Sequence, residues 1–363
     1  MKKDVFLPPK KYGIMEITRL FDILERDLKE FPKEDALCGK ENGLWIKHST
    51  KDYVDKVNNI SYGLLQLGIK RGDCIATITP NRPEWNFLDM AIMQIGAIHV
   101  AIYPTISESD YQYILNHADV KLIFVSGWEL LRKINTIIEG IPSLTDKVYT
   151  FRNLRGYRHL NELIELGRAN PSPEYLQQIK DSITTDDVVS IVYTSGTTGN
   201  PKGVMLTHRN FLTNIYGVLP IIPVKNNNRI LSYLPLCHVY ERMMNYTWQY
   251  LGIPIYYNDN LAKIQEELVE LQPDIFTSVP RLLEKMYDKI LARGRKLEGV
   301  KRRIFFWAND IAQNFDFNQS KSYFRKLKLA RKLVLNQWYK ALGGNLDVIV
   351  TGGAAIQPLI SKV

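Results

Sequence analysis

Residues 193–203 read YTSGTTGNPKG and gather three glycines, three threonines, a serine and a lysine into eleven positions. Glycines let backbone N–H groups approach an anion without interference from Cβ. Hydroxyls add donors, and Lys202 adds positive charge. The stretch reads either as a phosphate-cradling loop or as a Gly-rich turn, and a turn would need only one or two of these glycines. It is not a Walker loop, which requires Gly, four residues, then Gly-Lys-Ser/Thr. Here two residues separate Gly196 from Gly199, Pro201 precedes Lys202, and Gly203 follows it.

The elements around the loop must place it. Val188–Thr194 (VVSIVYT) is apolar and β-branched, so it predicts a strand that runs straight into the loop. Parallel sheets bind ligands outside the carboxyl ends of their strands, which is where this loop would fall. Upstream, CIATITP, HVAIYPT and VKLIFVS read as strands. They alternate with helical PEWNFLDMAIMQIGA, opened by Pro83, and ESDYQYILNHAD. Downstream the rhythm returns with ILSYLPL, helical ERMMNYTWQYL, IPIYY, helical LAKIQEELVELQ, DIFTSVP and a helix opening at Pro280. Alternating strands and helices predict an α/β fold of βαβ units with mainly parallel sheets, one series on each side of the loop. The polar segment 170–187 reads as the least structured connection, and 297–338 as helical and basic.

Composition narrows the function classes. Cys38, Cys74 and Cys237 are too far apart for a disulfide framework or a metal-ligand spacing, which points to a reducing compartment. The N-terminus, broken by two prolines, does not read as a signal peptide. The longest apolar-looking run, MAIMQIGAIHVAIYP, contains Gln94 and His99 and is short for a membrane span. Net charge is +9, yet residues 285–340 alone hold fifteen Lys/Arg against four Asp/Glu. This segment reads as solvated amphipathic helices or as a face for phosphates or an acidic membrane. With no RNA- or DNA-binding motif beside it, no nucleic-acid partner is expected. FFWA at Phe305–Ala308 could insert into a membrane or belong to the core.

Tyr193–His208, YTSGTTGNPKGVMLTH, resembles the signature of the adenylate-forming (AMP-binding) superfamily, which includes acyl-CoA synthetases, luciferases and peptide-synthetase adenylation domains. LPLCHVYERM (Leu234–Met243) is similar to a second motif of that superfamily, near the acyl pocket, and its Glu241–Arg242 pair looks like the long-chain fatty acyl-CoA synthetase version. TSVPRLLEKMYDKI (Thr277–Ile290) resembles the same branch. VTGGAAI (Val350–Ile356) resembles the segment whose backbone holds adenine; alone, its Gly-Gly turn is weak grounds for function.

The resemblance implies an N-terminal adenylation domain, incomplete within 1–363, of two packed sheet subdomains: 70–222, and 1–69 with 226–363. It implies ATP, Mg²⁺ and CoA as cofactors or substrates and a long-chain fatty acid as the acid activated. Thr194, Ser195, Gly196, Thr197, Thr198, Gly199 and Lys202 would hold phosphates, and Gly353, Ala354 and Ala355 adenine. His238 and Tyr240 would wall the acyl site; a lone His there could equally be a structural hydrogen bonder. No catalytic or metal residue is assigned. The family's Mg²⁺-contacting Thr/Glu, its ribose-binding Asp and the catalytic Lys of its C-terminal domain are expected beyond residue 363, and at most feeble turnover from 1–363. The expected setting is cytoplasmic, with possible peripheral membrane contact through 285–340. Two alternatives stand beside this reading: ligation of aryl or medium-chain acids, or of acyl groups to a carrier protein, and a non-catalytic nucleotide-binding module.

Overall fold

The computed structural model describes residues 17–194, 199–225 and 227–362. Its strands are β1 (Leu37–Glu41), β2 (Leu44–His48), β3 (Cys74–Ile78), β4 (Ile98–Ile102), β5 (Val120–Val125), β6 (Val148–Thr150), β7 (Arg158–His159), β8 (Val188–Thr194), β9 (Lys202–Thr207), β10 (Ile230–Ser232), β11 (Ile255–Tyr257), β12 (Ile275–Ser278) and β13 (Val348–Thr351). The chain divides into two compact units. The first runs to Asn226 and includes Tyr233–Asp259; the second comprises Asn227–Ser232 and Asn260–Val363. The segment 70–222 lies inside the first unit, together with the described residues before it.

The first unit holds a seven-stranded sheet in the order β7-β6-β5-β3-β4-β8-β9. Every pair is parallel except β8–β9. β3 is buried along its whole length, as a strand covered on both faces must be, and its apolar run reflects that. Helix Pro83–Gln94 opens on proline and buries every residue but Glu84. In the same unit β1 pairs in parallel with β11 and antiparallel with β2. The β1–β2 turn uses Asn42 and Gly43, both at positive φ, the chemistry of a tight hairpin.

Two glycines decide one helix crossing. Helices Thr50–Gln66 and Leu160–Ala169 approach so closely that a Cβ on Gly167 would lie 1.8 Å from the Asn59 carbonyl oxygen, and one on Gly63 2.4 Å from that of Leu163. The segment 170–187 departs from its reading as an unstructured connection: Pro173–Ser182 is a helix. Leu176, Ile179 and Lys180, at helical spacing, turn inward, and Lys180 meets Glu25 at 2.5 Å.

In the second unit β10, β12 and β13 pair in parallel. Helices Pro280–Arg295, Gly299–Gln313 and Lys321–Ala330 follow β12, and the last continues through a π-turn at Arg331–Leu335 into Asn336–Ala341. They enclose a core of Phe305, Ala308, Ile311, Leu327, Ala330 and Val334. FFWA therefore serves this core. Phe305 seats against Gly294, where any Cβ would strike its ring.

Candidate functional site

The strand before the glycine-rich loop and the strand after it form one hairpin. Thr194, the last residue of β8, is the register partner of Lys202, the first of β9, and both are exposed at its mouth. A Walker loop leads from strand to helix; here the return is a strand and the helix begins only at His208. Ser195, Gly196, Thr197 and Thr198 lie outside the described residues. Gly199 has φ +116°, a conformation L side chains avoid. Gly203 has a packing role: a Cβ there would come within 2.9 Å of Ile191 and 3.2 Å of the Tyr193 ring. The Tyr193 hydroxyl is thereby held 2.7 Å from His117 Nδ1. His208, which closes the signature, is fully buried, and its Nδ1 accepts the Leu20 N–H at 3.0 Å. Burial drives its pKa down to about 3, so the ring is neutral.

His238 caps helix Val239–Tyr250, its Nδ1 accepting the Tyr240 N–H at 3.2 Å. Burial of part of the ring lowers its pKa, which favours the neutral form. Its partly exposed ring meets the edge of Tyr103 at 6.4 Å, and Tyr240 is half-buried. The turn before the helix is clamped by Asn81, at the end of the β3 loop. Its side chain donates to the Leu234 carbonyl at 2.7 Å and accepts the Leu236 N–H at 3.1 Å. Sequence reading passed over Asn81, although it lies between Pro80 and the Arg82-Pro83 helix start, where strand ends carry ligands.

Beneath both stations lies a buried polar cluster that sequence reading also missed. Arg242, one turn into the His238 helix, donates to Ser190 of β8, to Asp89 and to the Tyr246 hydroxyl. Asp89 also accepts from Tyr246 and from His99 Nδ1, the latter at 2.6 Å. The Thr77 hydroxyl faces His99 Nε2 at 2.7 Å. Burial alone would raise the Asp89 pKa, but the adjoining guanidinium holds it below the carboxylate range. Burial likewise keeps His99 neutral against the pull of Asp89. The cluster ties β8, four residues before Thr194, to the helix that carries His238 and Tyr240. The only signal in the sequence was polar residues inside apolar runs: Asp89 and His99 among Met, Ile and Ala.

In the second unit, the Gly-Gly turn follows β13 directly. The Gly352 N–H reaches the Ser278 carbonyl at 3.3 Å, and Gly353 takes φ +80°. Gly353, Ala354 and Ala355 are exposed. The Thr277 and Thr351 hydroxyls, at the carboxyl ends of β12 and β13, are buried without a hydrogen-bond partner. Such groups are costly unless a ligand or water satisfies them. Among the described residues no group of three His, Cys, Asp or Glu could hold a metal ion. The three cysteines are free and buried. Among the described residues no helix is long and apolar enough to cross a membrane.

A family model described as AMP-binding enzyme matches residues 24–362. The peroxisomal long chain acyl-CoA synthetase 6 of Arabidopsis thaliana is 31% identical over 317 residues, covering 83% of this chain and 43% of that protein. Fatty acyl-CoA synthetase A of Dictyostelium discoideum is 29% identical over 336 residues, covering 88% and 47%. Among solved structures, the adenylation domain of a carboxylate reductase from Mycobacterium chelonae aligns with TM-score 0.71 at 18% identity, covering 98% of this chain and 57% of that one. A red-emitting luciferase from Phrixothrix hirtus aligns with TM-score 0.68 at 15% identity, covering 99% and 59%. The chain spans about half the length of the curated relatives it matches. A hairpin-mounted Gly/Thr/Ser loop on an α/β framework, matched by a family model over nearly all its length, identifies this chain as a member of the AMP-binding enzymes.

Proposed function

We propose that the chain carries the nucleotide- and acid-binding part of an ATP-dependent long-chain fatty acid–CoA ligase. A carboxylate oxygen attacks the α-phosphorus of ATP, the bond to the β-phosphate oxygen breaks, and pyrophosphate leaves with the electron pair. The CoA thiolate then attacks the acyl carbon and expels AMP. The first step asks the protein for alignment and for stabilisation of phosphate charge rather than for covalent chemistry. Lys202 and Thr194 at the hairpin mouth, with Ser195–Gly199 between them, are suited to the β- and γ-phosphates. Gly353–Ala355 and the orphaned Thr277 and Thr351 hydroxyls suit the adenine end. His238 and Tyr240 would wall the acyl site, with His238 neutral. The described residues do not fit a metal ion, so no step is routed through Mg²⁺. We place the chain in the cytoplasm, where buried free thiols stay reduced, with a peripheral role at a membrane.

The observation that carries this reading is the pairing of Thr194 with Lys202 across a loop of glycines and hydroxyls. Equilibrium binding of ATP and AMP tests it. Lys202→Ala should weaken ATP binding by about tenfold to a hundredfold, the worth of one charge-assisted contact, and leave AMP binding nearly unchanged. Equal losses for both nucleotides would sink the assignment. Palmitate-driven ATP–pyrophosphate exchange separates an acid-activating chain from a nucleotide-binding module, which would bind ATP without exchange.

A further inference from the structure

The basic stretch in the second unit has an order that its composition alone does not reveal. From Phe317 to Leu346 the sequence contains seven Lys/Arg and no Asp or Glu. In helix Lys321–Ala330 and the π-turn after it, Tyr323, Leu327, Ala330 and Val334 recur at steps of four, three and four and pack into the core. Lys321, Arg325, Lys328 and Lys332 recur at the same steps, displaced by half a turn, and all four are exposed. The face opposite the core is therefore a ridge of cations. Phe324, Leu329 and Leu333 accompany it, each exposed, and Phe317 at the start of the segment is 87% exposed.

Neighbouring like charges along a helix repel, and natural helices usually intersperse acidic partners. Here none is present. Among the described residues no Lys or Arg between 285 and 340 forms an ion pair, whereas the first unit pairs many of its cations, as in Arg71–Asp187 and Arg209–Asp186. A ridge that tolerates its own repulsion and exposes apolar side chains beside it fits a flat anionic surface with an apolar interior. We propose that this face docks peripherally on an anionic lipid bilayer, with the Lys321–Lys332 ridge at the headgroups and Phe324, Leu329 and Leu333 entering the interface. The proposal builds on the acid-activation reading, whose substrate dissolves in such a bilayer, but docking is measured without turnover. A chain that docks and activates no acid would fail that reading and keep this one.

The test is co-sedimentation with phosphatidylcholine vesicles with and without phosphatidylglycerol. The chain should sediment with the mixed vesicles, not with phosphatidylcholine alone, and release as salt rises. Lys328→Glu with Lys332→Glu should weaken binding to mixed vesicles by at least about thirtyfold, given roughly fivefold for each unit of charge. These positions are exposed and the change introduces opposite charges beside Arg325 and Lys321, so folding should survive, as circular dichroism would verify. Lys51→Glu with Lys121→Glu, the same change in net charge on the first unit, should bind almost as the parent does. Phe324→Ser with Leu329→Ser should lose the part of binding that persists at high salt. Equal binding to both vesicle types, binding to neither, or equal losses in the two charge-reversal variants would overturn the proposal. Retention on single-stranded RNA with no vesicle binding would assign the face to nucleic acid and overturn it too.

Discussion

His208 closes the signature motif, yet its ring is sealed in the core against Phe21, with centroids 5.5 Å apart. A motif residue can thus serve the scaffold of a site rather than its chemistry. Because burial holds its folded pKa at about 3, against about 6.5 in the unfolded chain, the unfolded state takes up a proton that the folded state refuses. The contribution of His208 is fully present above pH 6.5 and is lost as pH falls toward 3. It adds a slope of up to about 1.4 kcal/mol per pH unit across that window. His208→Asn keeps an acceptor for the Leu20 N–H but cannot titrate. Urea denaturation across this pH range should give the variant a lower stability at neutral pH and a shallower acid limb. An unchanged slope would refute the assignment. Arg242 teaches the converse lesson. The sequence marked it as a family feature, and the fold makes it the centre of a fully buried cluster whose partners, Asp89 and Ser190, lie 153 and 52 residues away. Breaking such a pair leaves a charge buried and uncompensated, far costlier than losing a surface bridge.

At the scale of elements, strands and helices were legible wherever burial on two faces or one imposes a local period. β3, β4, β5, β8 and the Pro83 helix fall where their apolar runs and capping residues predict them. Helix Pro173–Ser182 was misread because polar residues dominate it and only a narrow stripe turns inward. Gly63 and Gly167 were not singled out, since a mid-helix glycine has no local explanation. Their role exists only where two helices cross. Gly167→Ala should destabilise the first unit by ~3 kcal/mol or more, because the added methyl meets backbone that cannot rotate aside. Differential scanning calorimetry would register this as a fall of several degrees in Tm. A Tm within a degree of the parent would mean that the crossing is looser than it is drawn.

At the scale of the whole molecule, positive charge is concentrated on the second unit while the first pairs its cations. Self-repulsion in the helical part of that unit should be relieved by screening. Raising NaCl to about 1 M, where the Debye length shrinks to about 3 Å, should slow amide hydrogen exchange over 299–341 and leave the β3–β5 region of the first unit unaffected. Equal responses in the two regions would argue against a local charge effect. The sequence by itself determined the α/β class, the identity of the loop as a phosphate cradle in type and spacing, and the basic bias of 285–340, because each is written in neighbouring residues or in short periods. Only the tertiary structure decided that the loop is slung from an antiparallel hairpin, that His208 and FFWA belong to cores, that Asn81 clamps the His238 turn, and that one cluster binds β8 to the His238 helix. Those features depend on partners tens to hundreds of residues apart, and burial chooses such partners by shape and hydrogen-bond geometry, which no local pattern encodes.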